Sequence, residues 1–396
     1  MGDALGRRRF AALLSNTALS RTVLSRTVLS KALASPALTS TALGATSLAG
    51  CGEGRPPTPA PSPSVASRSS TRIEALPAAV HRGVCLAHSW EDGGRRGYGT
   101  ETSARTLTEL EDLGVDSISL TPFGFSPSLT SNEVRHVGQR SGGETDARMA
   151  AEFGAARARG LRVLLKPHLW VAGGAWRAEL APASWTAWFD AYARWMVRYA
   201  RMAEEAGVAI LAVGTELRSS LAFEQPWRTL IAQVRSVFSG KLVYCANWDA
   251  LDAVPFWDAL DYLGVQFYAP LASALGDSEA AMEARLGEHL AGLDRLSERV
   301  GRPMLLTEVG YKATQDTAIR PFEWTERAAS PLDLNAQARA YRVLFRGLCR
   351  CRALRGVYLW KWFTNPDTRE EGPRGFSPRG KPAEAILRAA YAPSTA

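Results

Sequence analysis

Short apolar runs alternate with amphipathic stretches along the chain downstream of Ile73. The amphipathic stretches carry apolar residues at helical spacing, and examples are Ser103–Leu113, Asp146–Arg159, Trp185–Ala206, Pro226–Phe238 and Asn335–Arg352. The apolar runs predict strands at Val84–Trp90, Val115–Thr121, Leu161–Leu169, Val208–Val213, Lys241–Asn247, Tyr262–Tyr268, Pro303–Thr307 and Val357–Trp362. Strands that are apolar almost throughout and joined by helices indicate a parallel sheet covered on both faces.

Eight such strands in about 320 residues suggest one closed (β/α)8 TIM barrel, although a doubly wound open sheet shows the same alternation. The barrel is favoured because most runs end, on their C-terminal side, in polar or aromatic residues such as Lys166, Glu216 and Glu308. A barrel gathers these ends around one mouth. We therefore predict a barrel domain over residues 77–396, preceded by a leader at 1–50 and a Pro/Ser-rich linker at 51–76.

Two glutamates each close an apolar run. Glu216 follows Ala209–Thr215 at the fourth strand, and Glu308 follows Met304–Thr307 at the seventh. A carboxylate in such a position is costly to bury unless it is paired or has a chemical task. Either one alone could cap a helix or pair with a cation such as Lys166. Two of them at strand ends of one barrel favour a catalytic pair.

The segments around these glutamates resemble a known family. The sequences GTEL at Gly214–Leu217 and LLTEVGY at Leu305–Tyr311 are similar to the acid/base and nucleophile segments of the clan A retaining glycosidases. The chain resembles glycoside hydrolase family 113 more closely, and further similarities are LKPHLW at 165–170, ANW at 246–248, QFYAP at 266–270 and LWKWF at 359–363. Thr215 stands where the wider clan usually has an asparagine.

This resemblance implies a mechanism and a substrate class. Characterised members of the family are chiefly endo-β-1,4-mannanases, so a retaining enzyme acting on mannan or glucomannan is expected. Glu308 would be the nucleophile and Glu216 the acid/base, with carboxyls about 5–5.5 Å apart. For Glu216 to hold a proton near neutrality its pKa must be raised, to which the charge of Glu308 contributes. Tyr268 would hydrogen-bond Glu308.

Aromatic and polar residues near the strand ends are the candidate substrate contacts. The indoles that offer flat faces to sugar rings are Trp90, Trp170, Trp248 and Trp360. The side chains that can donate to sugar hydroxyls are Lys166, His168, Asn247 and Gln266, although His168 could instead be structural. The acids in the loop after the last strand, Asp367, Glu370 and Glu371, are expected to be solvated. No metal site or cofactor is expected.

Two other functions remain open at this stage. One is a retaining glycosidase for another β-glycan, and the other is a surface-tethered glycan-binding lipoprotein on a catalytically degenerate barrel, since a fold alone does not imply catalysis. The oligomeric state and the choice between endo and exo action have no signature in the sequence.

The net charge of +8 at first suggests a nucleic-acid partner. However, residues 1–72 hold nine basic and two acidic groups, so +7 of the charge belongs to this segment and +1 to the remaining residues. The predicted barrel is therefore close to neutral and carries no phosphate-binding loop. These observations argue against a nucleic-acid binder.

The leader resembles an export signal. Arg7–Phe10 is similar to the start of a twin-arginine signal, and Leu48–Cys51 reads LAGC, as in bacterial lipoprotein signals. Lipidation at Cys51, followed by a Pro/Ser-rich spacer at Pro56–Ser70, predicts an exported lipoprotein anchored at the cell envelope. The alternative is a disordered cytoplasmic tail that contains this motif by chance.

Overall fold

The computed structural model describes residues 73–136, 143–323 and 330–393. The strands in these ranges are β1 His81–Ala87, β2 Ser117–Leu120, β3 Phe123–Ser126, β4 Arg135–His136, β5 Arg162–Leu165, β6 His168–Val171, β7 Ile210–Thr215, β8 Lys241–Asn247, β9 Tyr262–Gln266, β10 Met304–Val309 and β11 Leu354–Phe363. Eight of them (β1, β2, β5 and β7 to β11) form a closed parallel barrel in chain order. This confirms the predicted TIM barrel.

Helices connect most of the barrel strands. They are α1 Glu101–Asp112, α2 Asp146–Ala158, α3 Trp185–Ala206, α4 Glu224–Arg235, α5 Glu279–Val300, α6 Leu334–Leu348 and α7 Pro382–Ala390. Side-chain oxygens cap several N-termini; Ser184, for example, accepts from the backbone N–H of Ala187 at the start of α3. The connection from β8 to β9 holds two short 3-10 turns, Leu251–Ala253 and Trp257–Ala259, instead of an α-helix. It is close to the minimum length, about a dozen residues, for a crossover.

The predicted strand Leu161–Leu169 is divided in the structure. Seven of the eight predicted strands have ends within three residues of the observed ones, but this run becomes β5 and β6 with Lys166 and Pro167 between them. Pro167 lacks an N–H group and cannot continue a hydrogen-bonded ladder. After it, β6 leaves the barrel and pairs with β3 in the small sheet β4-β3-β6. His168 and Trp170 consequently belong to a layer next to the C-terminal ends of the barrel strands.

Buried apolar side chains fill the interior of the barrel. Leu164, Ile210, Val243 and Leu305 are each no more than 2% exposed. Cys85 and Cys245 are also buried, as expected from the apolar runs that contain them, and both are free thiols. A second apolar layer lies between the barrel and its helices. Among the described helices, none is both long enough and apolar enough to cross a membrane.

The leader, with Cys51 and most of the predicted linker, lies outside the described residues. Lipidation of Cys51 and delivery to the cell envelope therefore stay predictions. The last residue of the predicted linker, Leu76, is described: it is 1% exposed, and its backbone N–H donates to the carbonyl of Ala390 at 2.8 Å.

An aromatic cluster supports the chain just after β7. Trp227 of α4 is fully buried, with its ring centroid 5.2 Å from that of Phe256 and 5.3 Å from that of Tyr244. Its indole N–H donates to the carbonyl of Ser220, and the hydroxyl of Tyr244 accepts from the backbone N–H of Leu217 at 3.0 Å. These contacts fix the backbone on the C-terminal side of Glu216.

We predict that Trp227→Ala lowers the free energy of unfolding by about 3–5 kcal/mol, because it leaves a large cavity and removes the hydrogen bond from the indole to Ser220. Denaturant unfolding followed by circular dichroism measures this loss. Trp176→Ala is the matched control, since Trp176 is 46% exposed, and it should change stability by no more than about 0.5 kcal/mol. Equal losses in the two variants would contradict the role of the cluster.

Candidate active site

Glu216 lies directly after β7, where the backbone turns away from the barrel. Its φ of 56° is in the left-handed region, which costs a residue other than glycine about 1–3 kcal/mol. The backbone N–H of Glu216 still donates to the carbonyl of Cys245 in β8, at 2.9 Å. The neighbouring strand thus holds the strained residue in place. Backbone strain of this kind concentrates at functional sites.

Two side chains donate to the carboxylate of Glu216. Arg177 Nη2 lies 2.9 Å from Oε2, and Asn247 Nδ2 lies 3.1 Å from Oε1. Burial raises the pKa of Glu216, the Arg177 guanidinium opposes this effect, and the charge of Glu308 adds to it. The pKa of Glu216 is therefore raised by some neighbours and lowered by others. Such opposing effects are typical of a carboxyl group that both donates and accepts a proton.

Glu308, in β10, is 4% exposed and is also held at both oxygens. Lys166 Nζ lies 2.5 Å from Oε1, and the Tyr268 hydroxyl donates to Oε2 at 2.9 Å. Lys166 is fully buried and also donates to the carbonyl of Thr307 at 3.0 Å. Burial, followed by the charge of Glu308, raises the pKa of Tyr268 well above its usual value, so the phenol remains a donor.

His168 lies between the partners of the two glutamates. Its Nε2 is 3.6 Å from Glu308 Oε1, and its Nδ1 is 3.5 Å from Arg177 Nη2, the atom that donates to Glu216. Burial, together with the nearby cations, lowers the pKa of His168 well below its usual value. The imidazole is therefore neutral, with Nδ1 facing a donor and Nε2 facing a carboxylate. One continuous set of contacts joins Glu308 to Glu216.

Trp360 covers one side of this arrangement. Its ring is parallel to that of His168, with an interplanar angle of 7° and centroids 6.2 Å apart. Lys361 Nζ lies 4.8 Å from the centroid of the Trp360 ring and 2.8 Å from Glu371 Oε1. Trp360 is only 7% exposed, so little of its ring surface reaches solvent.

The other predicted sugar contacts occupy different environments. Trp170 is 41% exposed and packs edge-on against Phe123, which in turn contacts His168. Trp90 is half-buried with its ring 4.6 Å from that of His88, and half-buried Trp248 packs against His289.

Two of the predicted hydroxyl donors lie behind the carboxylates. Gln266 is fully buried, and its Oε1 accepts from the hydroxyl of Thr307 at 2.9 Å. Lys166 directs its ammonium group at Glu308 and Thr307. Of the four predicted donors, His168 and Asn247 therefore contact the two glutamates or Arg177, whereas the fully buried Lys166 and Gln266 contact Glu308 and the neighbouring Thr307.

The expectation that Glu370 and Glu371 are merely solvated is wrong. Glu370 Oε1 accepts from the backbone N–H groups of Trp90 and Glu91 and from the hydroxyl of Ser89, at 2.6–3.2 Å. Glu371 pairs with Lys361 and also accepts from the backbone N–H of Phe376. The carboxylate of Glu370 thus accepts from several donors of the loop that carries Trp90. The loop after β11 is thereby attached to that loop.

Arg177 and Lys361 are the charged residues of this site that the sequence did not single out as candidate site residues. Arg177 lies in a short 3-10 turn, Arg177–Glu179, after β6, where no strand end or motif distinguishes it from other arginines. Lys361 lies in β11, directly after Trp360. In the described ranges, no cluster of three or more His, Cys, Asp or Glu side chains is arranged to hold a metal ion.

Comparisons with known proteins point to one family. The family model of glycoside hydrolase family 113 matches residues 87–381. No curated protein sequence is similar enough to this chain to count as a match. Among solved structures, the GH113 β-mannanase AaManA from Alicyclobacillus acidocaldarius in complex with ManMIm has a TM-score of 0.69 at 24% identity, covering 82% of this chain and 99% of that one.

A second structure, described as a GH113 β-1,4-mannanase, has a TM-score of 0.67 at 24% identity and covers 81% of this chain and 98% of that one. A more distant neighbour is the glycoside hydrolase family 5 mannosidase from Rhizomucor miehei, with a TM-score of 0.51 and 10% identity over 81% of this chain and 97% of that one. At these identities, structural similarity supports the barrel fold alone.

The family model extends over most of the chain and includes both glutamates, their partners and all the barrel strands after the first. The chain therefore belongs to glycoside hydrolase family 113 and is a glycoside hydrolase built on a (β/α)8 barrel.

Proposed function

We propose that this glycoside hydrolase is a retaining endo-β-1,4-mannanase acting on mannan or glucomannan, with Glu308 as the nucleophile and Glu216 as the acid/base. The observation that carries the proposal is the pair of carboxyl groups at the ends of β7 and β10, each held at both oxygens and close enough to influence one another. The names of the GH113 structures with similar folds support mannan as the substrate class.

In the first step, a carboxylate oxygen of Glu308 attacks the anomeric carbon while the glycosidic C–O bond breaks. The departing oxygen takes the proton of Glu216, which becomes a carboxylate. Lys166 and Tyr268 keep the Glu308 side chain in one orientation, so the attack needs little further ordering. Burial of Glu216 and the nearby charge of Glu308 favour the protonated form that this step requires.

In the second step, Glu216 accepts a proton from water as the water oxygen attacks the anomeric carbon from the opposite side. The ester bond to Glu308 breaks, and Glu308 is released as a carboxylate. Two displacements at the same carbon return the product to the anomeric configuration of the substrate. Asn247, which donates to Glu216, helps to orient the base towards the water.

We predict that Glu308→Gln lowers kcat on β-mannan by at least about 10³-fold, because an amide cannot form the glycosyl-enzyme. A reducing-sugar assay measures the loss, and circular dichroism checks that the fold persists. Glu298→Gln is the matched control, since Glu298 pairs only with surface Arg352 on the described part of the chain, and it should retain full activity. Unchanged turnover in Glu308→Gln would contradict the assignment.

The substrate class is tested with a panel of β-mannan, glucomannan, cellulose, xylan and β-1,3-glucan. We expect the fastest release of reducing ends from mannan and glucomannan, and a proton NMR time course should show the β-anomer as the first product. Faster cleavage of another polysaccharide would replace mannan in the proposal, and an α-product would exclude retention. Tight binding without any cleavage would instead favour the glycan-binding lipoprotein.

We predict that Tyr268→Phe lowers kcat/KM by about 10–100-fold. The substitution removes a hydrogen bond to a charged group, worth about 1.5–3 kcal/mol, while keeping the aromatic ring. Tyr341→Phe is the control, because the buried hydroxyl of Tyr341 has no hydrogen-bond partner among the described residues. If the two variants have equal activity, the hydroxyl of Tyr268 has no role in catalysis.

A further inference from the structure

Arg177 reaches the acid/base from outside the barrel. It lies on the 3-10 turn after β6, and its side chain is 15% exposed. Besides donating to Glu216 at 2.9 Å, Nη2 lies 3.5 Å from His168 Nδ1, and Nη1 lies 3.5 Å from the carbonyl of Leu169. These contacts fix the orientation of the guanidinium plane, and an arginine keeps its charge at every pH at which the protein is folded.

A permanent cation against the acid/base opposes one of the two proposed steps. The first step needs Glu216 protonated, whereas a guanidinium at 2.9 Å favours the carboxylate. The second step needs the carboxylate, because Glu216 must accept a proton from water. The position of Arg177 therefore suits the second step.

Glu216 is surrounded by several groups that influence its charge. The titratable and charged side chains that face it from the packed elements are Arg177, Glu308, Lys166, Tyr244 and Tyr268. Tyr244 and Tyr268 remain neutral because burial raises both of their pKa values. The charge balance at Glu216 therefore depends on Glu308, which disfavours the carboxylate, and on Arg177 and Lys166, which favour it.

This balance changes once the glycosyl-enzyme has formed. The ester at Glu308 carries no negative charge, so the repulsion that raised the pKa of Glu216 is lost. The ammonium of Lys166 donates to Glu308 and to the carbonyl of Thr307, whereas Arg177 donates to Glu216 directly. Of the two cations, Arg177 is therefore the one that pairs with the newly formed carboxylate.

We propose that Arg177 is a positioning residue that stabilises Glu216 as the carboxylate, the form that activates water in the second step. The inference rests on the function proposed above. It implies that Arg177 assists hydrolysis of the glycosyl-enzyme and restricts the first step to lower pH.

A direct titration tests the effect of the cation without any substrate. In the full chain labelled with ¹³C at glutamate carboxyl carbons, Glu216 is assigned by the signal missing from Glu216→Gln. Arg177→Gln should raise the pKa of Glu216 by about one to three units. Arg218→Gln is the matched control: Arg218 pairs with Asp249 on the surface two residues from Glu216, and its loss should leave the titration unchanged.

Arg177→Lys retains a charge on a shorter side chain, so its shift should be smaller than that of Arg177→Gln. If Arg177→Gln does not fold, a raised pKa of Glu216 in Arg177→Lys supports the proposal by itself. A pKa that stays the same in every folded Arg177 variant would overturn it.

Kinetics with 2,4-dinitrophenyl β-mannobioside separate the two steps, because this leaving group departs with little help from an acid. The second step then limits kcat. At a pH below the pKa that Glu216 has in the glycosyl-enzyme of Arg177→Gln, kcat should fall about tenfold for each unit that separates the pH from that pKa. KM should fall along with kcat as the glycosyl-enzyme accumulates. Azide is an anion, so it can attack the anomeric carbon of the glycosyl-enzyme without a base to remove a proton. Added azide should therefore restore kcat and give a mannobiosyl azide product.

On mannan, the basic limb of kcat/KM for Arg177→Gln should move to higher pH by the shift that the titration measures. Unchanged kcat on the dinitrophenyl glycoside, with no response to azide, would overturn the role of Arg177 in the second step. Failure of the wild-type chain to cleave this glycoside would contradict the mannanase proposal instead, and the titration would still decide whether Arg177 stabilises the carboxylate.

Discussion

The site depends on burying two carboxylates close together. Removing a charged group from water costs several kcal/mol unless partners replace the lost hydration, and two like charges at short range add repulsion. The chain meets this constraint by giving each glutamate its own cation and a second, neutral donor. Lys166 and Tyr268 hold Glu308, and Arg177 and Asn247 hold Glu216. These four contacts replace part of the hydration that the two carboxylates lose on burial.

The barrel supplies most of these partners because its strand ends converge. Lys166, Glu216, Asn247 and Glu308 lie in or next to the C-terminal ends of four barrel strands, and Tyr268 lies two residues beyond a fifth. Arg177 is the exception, since it depends on the break at Pro167. That break releases β6 from the barrel, directs His168 towards Glu308 and brings the following turn over Glu216.

The sequence was sufficient to predict the barrel and the proximity of the two glutamates, since both depend on patterns local to each strand. Apolar runs ending in polar residues identified the strands, and a glutamate closing such a run identified the pair. Arg177 could not be predicted in this way, because its role depends on the path of a loop of irregular conformation. Lys166 and Gln266 were recognised at strand ends, but no pattern distinguishes a side chain directed into the barrel from one directed towards the mouth. Glu370 shows the same difficulty, since a carboxylate that binds backbone donors resembles a solvated one in sequence.

The two cations differ in a way that matches the two chemical tasks. Under the proposed mechanism, Glu308 is a carboxylate whenever the enzyme is free, so a constant partner suits it. The ammonium of Lys166 is a compact charge that fits the barrel interior, and Glu308 and Thr307 take up its donors. In the same mechanism Glu216 gains and loses a proton in every cycle, and its cation approaches from a loop beside a neutral histidine. A guanidinium can keep its contacts with His168 and Leu169 while the charge of Glu216 changes, so the cycle need not disturb the rest of the site.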